Sequence, residues 1–216
     1  VNLESITNFL FLKKFVNQNF DKYFIFYYYK INGSSMDFYL IRHGIAEDSS
    51  LNDLERKLTL EGQKKVKKVA SICSKIFSKP DTILTSEALR SVETAEIFAK
   101  KWKIKKIDSY SKLNPGASVY DYLFILGAYL NKDIINSNYK IAIITHEPDL
   151  SRFALSLLSN QIRYDFRLEE LIYKESILNF NLKLKKSSLM VIKWDGDESE
   201  LIFYSTPSIF AKINKL

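Results

Sequence analysis

The sequence predicts an α/β domain: a mostly parallel central sheet with helices on both faces and an antiparallel hairpin at its C-terminal edge. Three observations carry that prediction. From Met36 onward, short runs rich in strand formers alternate with amphipathic helical segments. One run, Lys140 to Thr145 (KIAIIT), is apolar almost throughout, as expected of a strand buried on both faces. Near the C-terminus, two strand-like runs are joined by the turn signal Asp195-Gly196-Asp197, which reads as a hairpin.

The elements follow in order. Asp37 to Arg42 (DFYLIR) is the first strand, ending at His43-Gly44. Ile45 to Lys57 is polar and predicts a loop. Thr59 is placed to cap a helix in which Val66, Val69, Ala70, Cys73, Ile76 and Phe77 share one face, with Pro80 ending it. Cys73 on that stripe reads as a small core residue. Thr82 to Thr85 is the second strand, and Ser86 is expected to cap a second helix running to about Trp102. Leu89, Val92, Ala95, Ile97, Phe98 and Trp102 are its expected buried face. Ile107 to Leu113 is a weaker strand before the turn Asn114-Pro115-Gly116. Ser118 to Leu130 predicts a helix, Lys140 to Thr145 a buried strand, and about Leu150 to Ser159 another helix. The polar segment Gln161 to Glu175 reads as a solvated helix, with a substrate-facing loop as the alternative. Ser187 to Trp194 and Glu200 to Ser205 form the hairpin.

Composition narrows the function. The 216 residues allow one domain plus an appendage. One cysteine rules out a disulfide scaffold, a cysteine-built zinc site and an iron–sulfur cluster, and two histidines leave almost no material for a histidine-rich metal site; no metal and no cofactor is expected. The formal net charge of +7 admits an acidic partner. The lysine-rich stretches at Lys64 to Lys68 and Lys100 to Lys106 lack interleaved aromatics, so they read as solvated helix faces and no nucleic-acid partner is expected. Residues 1–35 differ from the rest, with aromatic runs such as Tyr23-Phe24-Ile25-Phe26-Tyr27-Tyr28-Tyr29. Their apolar stretches fall far short of the roughly 20 residues a span needs, so no stable membrane insertion is expected. They read as an over-extended start before a domain beginning at Met36, or else as an amphipathic arm; the domain is assigned to 36–216. The lone cysteine and the lack of an export signal suggest a cytoplasmic protein.

Both histidines, His43 and His146, lie at the carboxyl end of an apolar strand, where open α/β sheets bind ligands. If those strands are neighbours, the two rings meet. Arg42 adjoins His43. Arg90 lies in the first turn of a helix, where free amides already favour an anion, and Ser86 lies just before it. A guanidinium fork matches a tetrahedral phosphate.

Arg42-His43-Gly44 after one strand, Thr85-Ser86 with Arg90, Thr94 and Ala95 after a second, and Thr145-His146 after a third resemble the histidine phosphatase superfamily, which includes phosphoglycerate mutases and acid phosphatases. The spacing resembles its compact branch, the SixA-like phosphohistidine phosphatases, as do Leu58-Thr59-x-x-Gly62, Asn114-Pro115-Gly116 and Lys185-Lys186-Ser187-Ser188-Leu189. The resemblance spans about Met36 to Pro207 and implies a phosphoglycerate mutase-like fold. It implies His43 as nucleophile, Arg42, Arg90 and His146 around the phosphoryl oxygens, and Gly44, Ser86 and Glu147 as substrate-binding residues, without a metal. The implied activity is removal of phosphate from a phosphohistidine protein through a phosphohistidine on His43. The alternatives are a small-molecule phosphomonoesterase or mutase of the same superfamily, or an inactive phosphate-binding module. One departure stands out. The branch often has a glutamate before the Leu-x-Pro turn, where this chain has Lys112 before Leu113-Asn114-Pro115. The general acid is therefore unassigned, with Asp108 and Glu147 as weak candidates. A phosphoramidate needs that acid less than a sugar phosphate does, because imidazole, with a pKa of about 6.5, takes a proton from solvent near neutrality.

Overall fold

The computed structural model describes residues 35–48, 52–130, 137–165, 167–176 and 182–213. The readings made for residues 1–34 lie outside them. Six strands build the central sheet: β1 (Met36–Arg42), β2 (Thr82–Ser86), β3 (Ile107–Tyr110), β4 (Lys140–Thr145), β7 (Leu189–Trp194) and β8 (Ser199–Ser205). Between β4 and β7 the chain adds a separate antiparallel pair, β5 (Ile162–Asp165) and β6 (Glu170–Tyr173). The helices are α1 (Leu60–Ile76), α2 (Leu89–Trp102), α3 (Val119–Gly127), α4 (Asp149–Leu158) and α5 (Pro207–Ile213).

The strand order is β3-β2-β4-β1-β7-β8. The first four run parallel, β7 adds antiparallel to β1 and β8 antiparallel to β7, so the mixed α/β sheet has the expected edge hairpin. Alternation along the central strands sorts the core into two layers. Phe38, Leu40, Ile141 and Ile143 join Leu123, Leu126, Leu150, Phe153 and Leu157 from α3 and α4 on one face. Tyr39, Ile41, Ala142 and Ile144 join Val66, Val69, Cys73, Ala95, Phe98 and Trp102 from α1 and α2 on the other. Because both faces of β1 and β4 are covered, the carboxyl ends of these strands are where side chains reach outward.

Local signals decide the helix starts. Thr59 caps α1, its hydroxyl accepting from Gly62 N at 3.0 Å. Ser118 and Asp121 close a capping box at α3. Several expectations are corrected. Helix α1 ends at Ile76, before Pro80, and Ile76 is exposed while Ile72 is buried, because the stripe rotates across four turns. In α2, Leu89, Val92 and Ile97 are only partly buried, and Arg90, Ser91, Thr94 and Ala99 are buried instead. Strand β3 stops at Tyr110, and a 3-10 turn over Ser111–Leu113 leads to the Asn114 turn. The segment Gln161 to Glu175 is neither a helix nor an open loop but the β5–β6 hairpin. Ile162 and Tyr164 are buried and Arg163 is exposed, a period of two that the polar composition conceals. Cys73 is buried and free, and burial pushes its thiol up to about 12. No helix among the described residues is long and apolar enough to cross a membrane.

Candidate active site

Strands β1 and β4 are neighbours with Arg42 opposite Thr145, so the residues that follow them, His43 and His146, emerge side by side. Their rings lie 5.0 Å apart between centroids, tilted by 51°. The backbone joins them too, since His43 N donates to Thr145 O at 3.1 Å.

His43 is 7% exposed. Its Nδ1 lies 2.7 Å from the carbonyl oxygen of Gly44. A carbonyl can only accept, so Nδ1 carries the proton and Nε2 keeps its lone pair. Burial lowers the pKa of His43 to about 3. The Gly44 carbonyl works against that shift, and the charges of Arg90, Arg42 and Lys186 reinforce it. The ring is therefore neutral near pH 7 with a defined free nitrogen.

His146 is 2% exposed. Its Nε2 meets Ser86 Oγ at 2.7 Å and Ser91 Oγ at 3.3 Å, while its buried Nδ1 has no hydrogen-bond partner among the described residues. Burial, then the neighbouring His43 and Arg90, lower its pKa to about 2, with Asp53 opposing. Ser86 is thus the last residue of β2 rather than a helix cap. Ala88 takes the cap position, where its methyl makes no cap bond, and the Ser86 hydroxyl is engaged by His146.

Arg90 is 4% exposed, on the first turn of α2. Its Nη2 donates to Asp53 Oδ2 at 2.7 Å and its Nη1 to the Asp53 carbonyl at 2.5 Å. Asp53 sits on a 3-10 turn, Asp53–Glu55, and Arg56 also donates to it at 3.0 Å. These two arginines hold its carboxyl below the usual range. Arg42 is half-buried; its Nη1 donates to Leu184 O at 2.8 Å and its Nε is buried without a partner. Burial lowers its pKa, opposed by the charge of Glu147.

Gly44 lets the chain pass close to α1: a Cβ there would meet Val66 Cγ2 at 2.7 Å and Leu58 Cδ2 at 2.9 Å. Gly44 N donates to Thr94 Oγ1 at 3.1 Å, and Thr94 Oγ1 donates to Arg90 O at 2.6 Å, tying the loop after His43 to α2. Glu147 is occupied. Its Oε1 accepts from Ser151 Oγ at 2.6 Å and Leu184 N at 3.0 Å, so it braces the chain rather than presenting that oxygen to a phosphate. Lys112 is exposed, 3.4 Å from Asp121 and over the ring of Phe124. Asp108 is bonded by Tyr129 and Lys106. Sequence reasoning missed Asp53, Ser91 and Leu184, which arrive through long-range contacts with no local signal. Among the described residues no three His, Cys, Asp or Glu side chains gather as a metal site.

The geometry gathers cationic and unpaired donor groups around a neutral imidazole, an arrangement that suits a phosphoryl group. Known proteins agree with that class. The model of the histidine phosphatase superfamily (branch 1) matches residues 38–114. An uncharacterized protein of Picosynechococcus sp. is 30% identical over 137 residues, covering 62% of this chain and 81% of that protein. A solved structure of the protein histidine phosphatase SixA complexed with tungstate has a TM-score of 0.63 at 16% identity, covering 81% of this chain and 99% of that one. The native mycobacterial glucosyl-3-phosphoglycerate phosphatase has a TM-score of 0.53 at 12% identity, covering 79% and 98%. The chain belongs to the histidine phosphatase superfamily, and its fold is similar to that of the SixA structures.

Proposed function

We propose that the protein is a phosphatase that removes phosphate from a phosphohistidine side chain of another protein, with residues 36–216 as its catalytic unit. One observation carries the reading. A neutral His43 with a free Nε2 lies beside two buried nitrogens without hydrogen-bond partners, His146 Nδ1 and Arg42 Nε. Buried polar atoms are almost always satisfied, so unpaired ones at one site await a ligand.

In the mechanism, the lone pair of His43 Nε2 attacks phosphorus and the bond from phosphorus to the substrate nitrogen breaks. The leaving imidazole takes its proton from solvent. Water then attacks the phosphoryl group on His43, releasing inorganic phosphate and restoring the ring. Arg42, Arg90 and His146 stabilise the equatorial oxygens in both steps, Ser86 orients His146, and Gly44 fixes the His43 tautomer. Each oxygen-binding donor is expected to be worth about 3 kcal/mol of barrier. Neither Lys112 nor the occupied Glu147 serves as a leaving-group acid, which favours phosphohistidine over sugar phosphates. The free, buried Cys73 fits a cytoplasmic setting.

The fold neighbour that acts on glucosyl-3-phosphoglycerate keeps a small phosphate ester as the second reading. The test is hydrolysis of a phosphohistidine peptide and of p-nitrophenyl phosphate by wild type and His43→Ala, without added metal. Clearance of phosphohistidine by wild type alone, unaffected by chelator, is the expected result. Cleavage of p-nitrophenyl phosphate only would move the reading to a small ester. Failure of both would leave a phosphate-binding module.

A further inference from the structure

Residues 182–188, which lead into β7, are fastened beside the site as a strap. Leu184 is fully buried and fastened on both sides, its N–H to Glu147 Oε1 at 3.0 Å and Ser151 Oγ at 3.3 Å, its carbonyl to Arg42 Nη1 at 2.8 Å. Three residues on, Ser187 N donates to the carbonyls of Arg42 and His43, both at 3.1 Å. The residues between these fasteners are therefore held at a fixed place relative to the histidine pair. Three lysines ride on the strap: Lys183 and Lys185 are exposed and Lys186 is partly buried. None has a carboxylate at ion-pair distance among the described residues. The charge of Lys186 reaches His43. Lys183 lines an open cavity of about 390 Å³ together with Arg42, Glu147, Pro148 and Leu182.

We infer that this strap is a docking rim for an acidic protein segment flanking the phosphorylated side chain. The inference rests on the phosphatase reading for the group that enters the site, and adds what surrounds that group. Arg42, Arg90 and His146 already answer the phosphate. Three further cations, without a carboxylate partner among the described residues, exceed what one phosphoryl group needs, and they complement carboxylates on either side of it. The single acidic side chain lining the cavity, Glu147, has its Oε1 committed to Ser151 and Leu184, so it takes little of that charge. Nucleic acid fits less well. Single-stranded ligands require stacking rings between the cations, and 182–188 contains no aromatic residue.

The experiment compares short phosphohistidine peptides flanked by Asp and Glu with ones flanked by Lys and Arg. The full chain and its Lys183→Glu, Lys185→Glu double variant are both used. Circular dichroism confirms that the variant is folded. The wild type is expected to prefer the acidic peptide about tenfold in kcat/KM at low salt. That preference shrinks as salt rises and reverses in the variant. Equal turnover of both peptides, or a preference that survives the charge reversal, overturns the inference. So does tighter binding of oligothymidine than of the acidic peptide. Binding of the same peptides without phosphate is followed by anisotropy. If phosphohistidine is not turned over but acidic peptides still bind and the variant reverses the order, the rim stands and the phosphatase reading falls.

Discussion

Asp53 holds Arg90 by two points at once, its carboxylate 2.7 Å from Nη2 and its carbonyl 2.5 Å from Nη1. One hydrogen on each terminal nitrogen is thereby spoken for, and the rest of the guanidinium is aimed by that grip. Asp53→Ala is expected to lower kcat/KM for p-nitrophenyl phosphate about five- to tenfold, and Asp53→Asn, which keeps an acceptor, by less. An Asp53→Ala variant more active than wild type would mean that the carboxylate competes with phosphate for Arg90.

The two histidines should make the fold acid-sensitive. Their pKa values fall from about 6.5 when unfolded to about 3 for His43 and about 2 for His146. Between the unfolded and folded values the unfolded chain binds more protons, so stability rises with pH across that window and is lost as pH falls below about 6.5. By pH 5 the loss is on the order of 2 kcal/mol per ring. Melting temperatures measured from pH 7.5 to pH 5 should fall for wild type and fall less for His146→Asn; parallel curves would sink the assignment.

Gly62 faces a backbone atom: a Cβ there would lie 2.1 Å from the carbonyl oxygen of Ile45. Alanine favours a helix over glycine by about 1 kcal/mol. The contact outweighs that gain, so Gly62→Ala is expected to lose about 2 kcal/mol or more. At Gly44 the nearest atoms are side-chain ends of Val66 and Leu58, so Gly44→Ala should cost less. Chemical denaturation of both variants tests the order.

Tyr122 anchors the residue before His146 from below. Its buried hydroxyl meets Thr145 Oγ1 at 2.8 Å while its ring stacks on Phe153 at 4.7 Å. Tyr122→Phe keeps the stack and removes the bond, so a loss of about 1 kcal/mol is expected. In a chain of this size that is a drop of about 2–4 °C in Tm, read by calorimetry.

Strand ends made much of this site legible. His43 and His146 could be paired from sequence because an apolar run ending in a histidine marks both the strand and its edge. Arg90 was legible from its place in a first helical turn. Ser86 was misread for a physical reason. A serine before a helix satisfies a local rule, but His146, 60 residues away, offers it a buried partner. Asp53 and Leu184 had no such marker. They meet Arg90 and Arg42 across separations of 37 and 142 residues, which no periodicity reports. The β5–β6 hairpin was hidden because four-residue strands carry too few alternations to stand out against charged neighbours.

The burial of β1 and β4 on both faces has a consequence for folding accuracy. A strand that is greasy on both sides loses little hydrophobic free energy if it slides one position, so its apolar pattern is a poor ruler. Hydrogen bonds tie the sheet together at the ends of these strands. Asp37 N meets Tyr139 O, Asp81 N meets Lys140 O, and the Asp81 carboxylate takes Lys140 N. Thr85 grips Ile144 O, and His43 N closes on Thr145 O. A slip of one residue would carry His146 about 3.3 Å along the sheet and turn its ring to the opposite side. A misaligned pair would no longer bring the two imidazoles together. Register therefore separates chains that have merely collapsed from chains that can do chemistry.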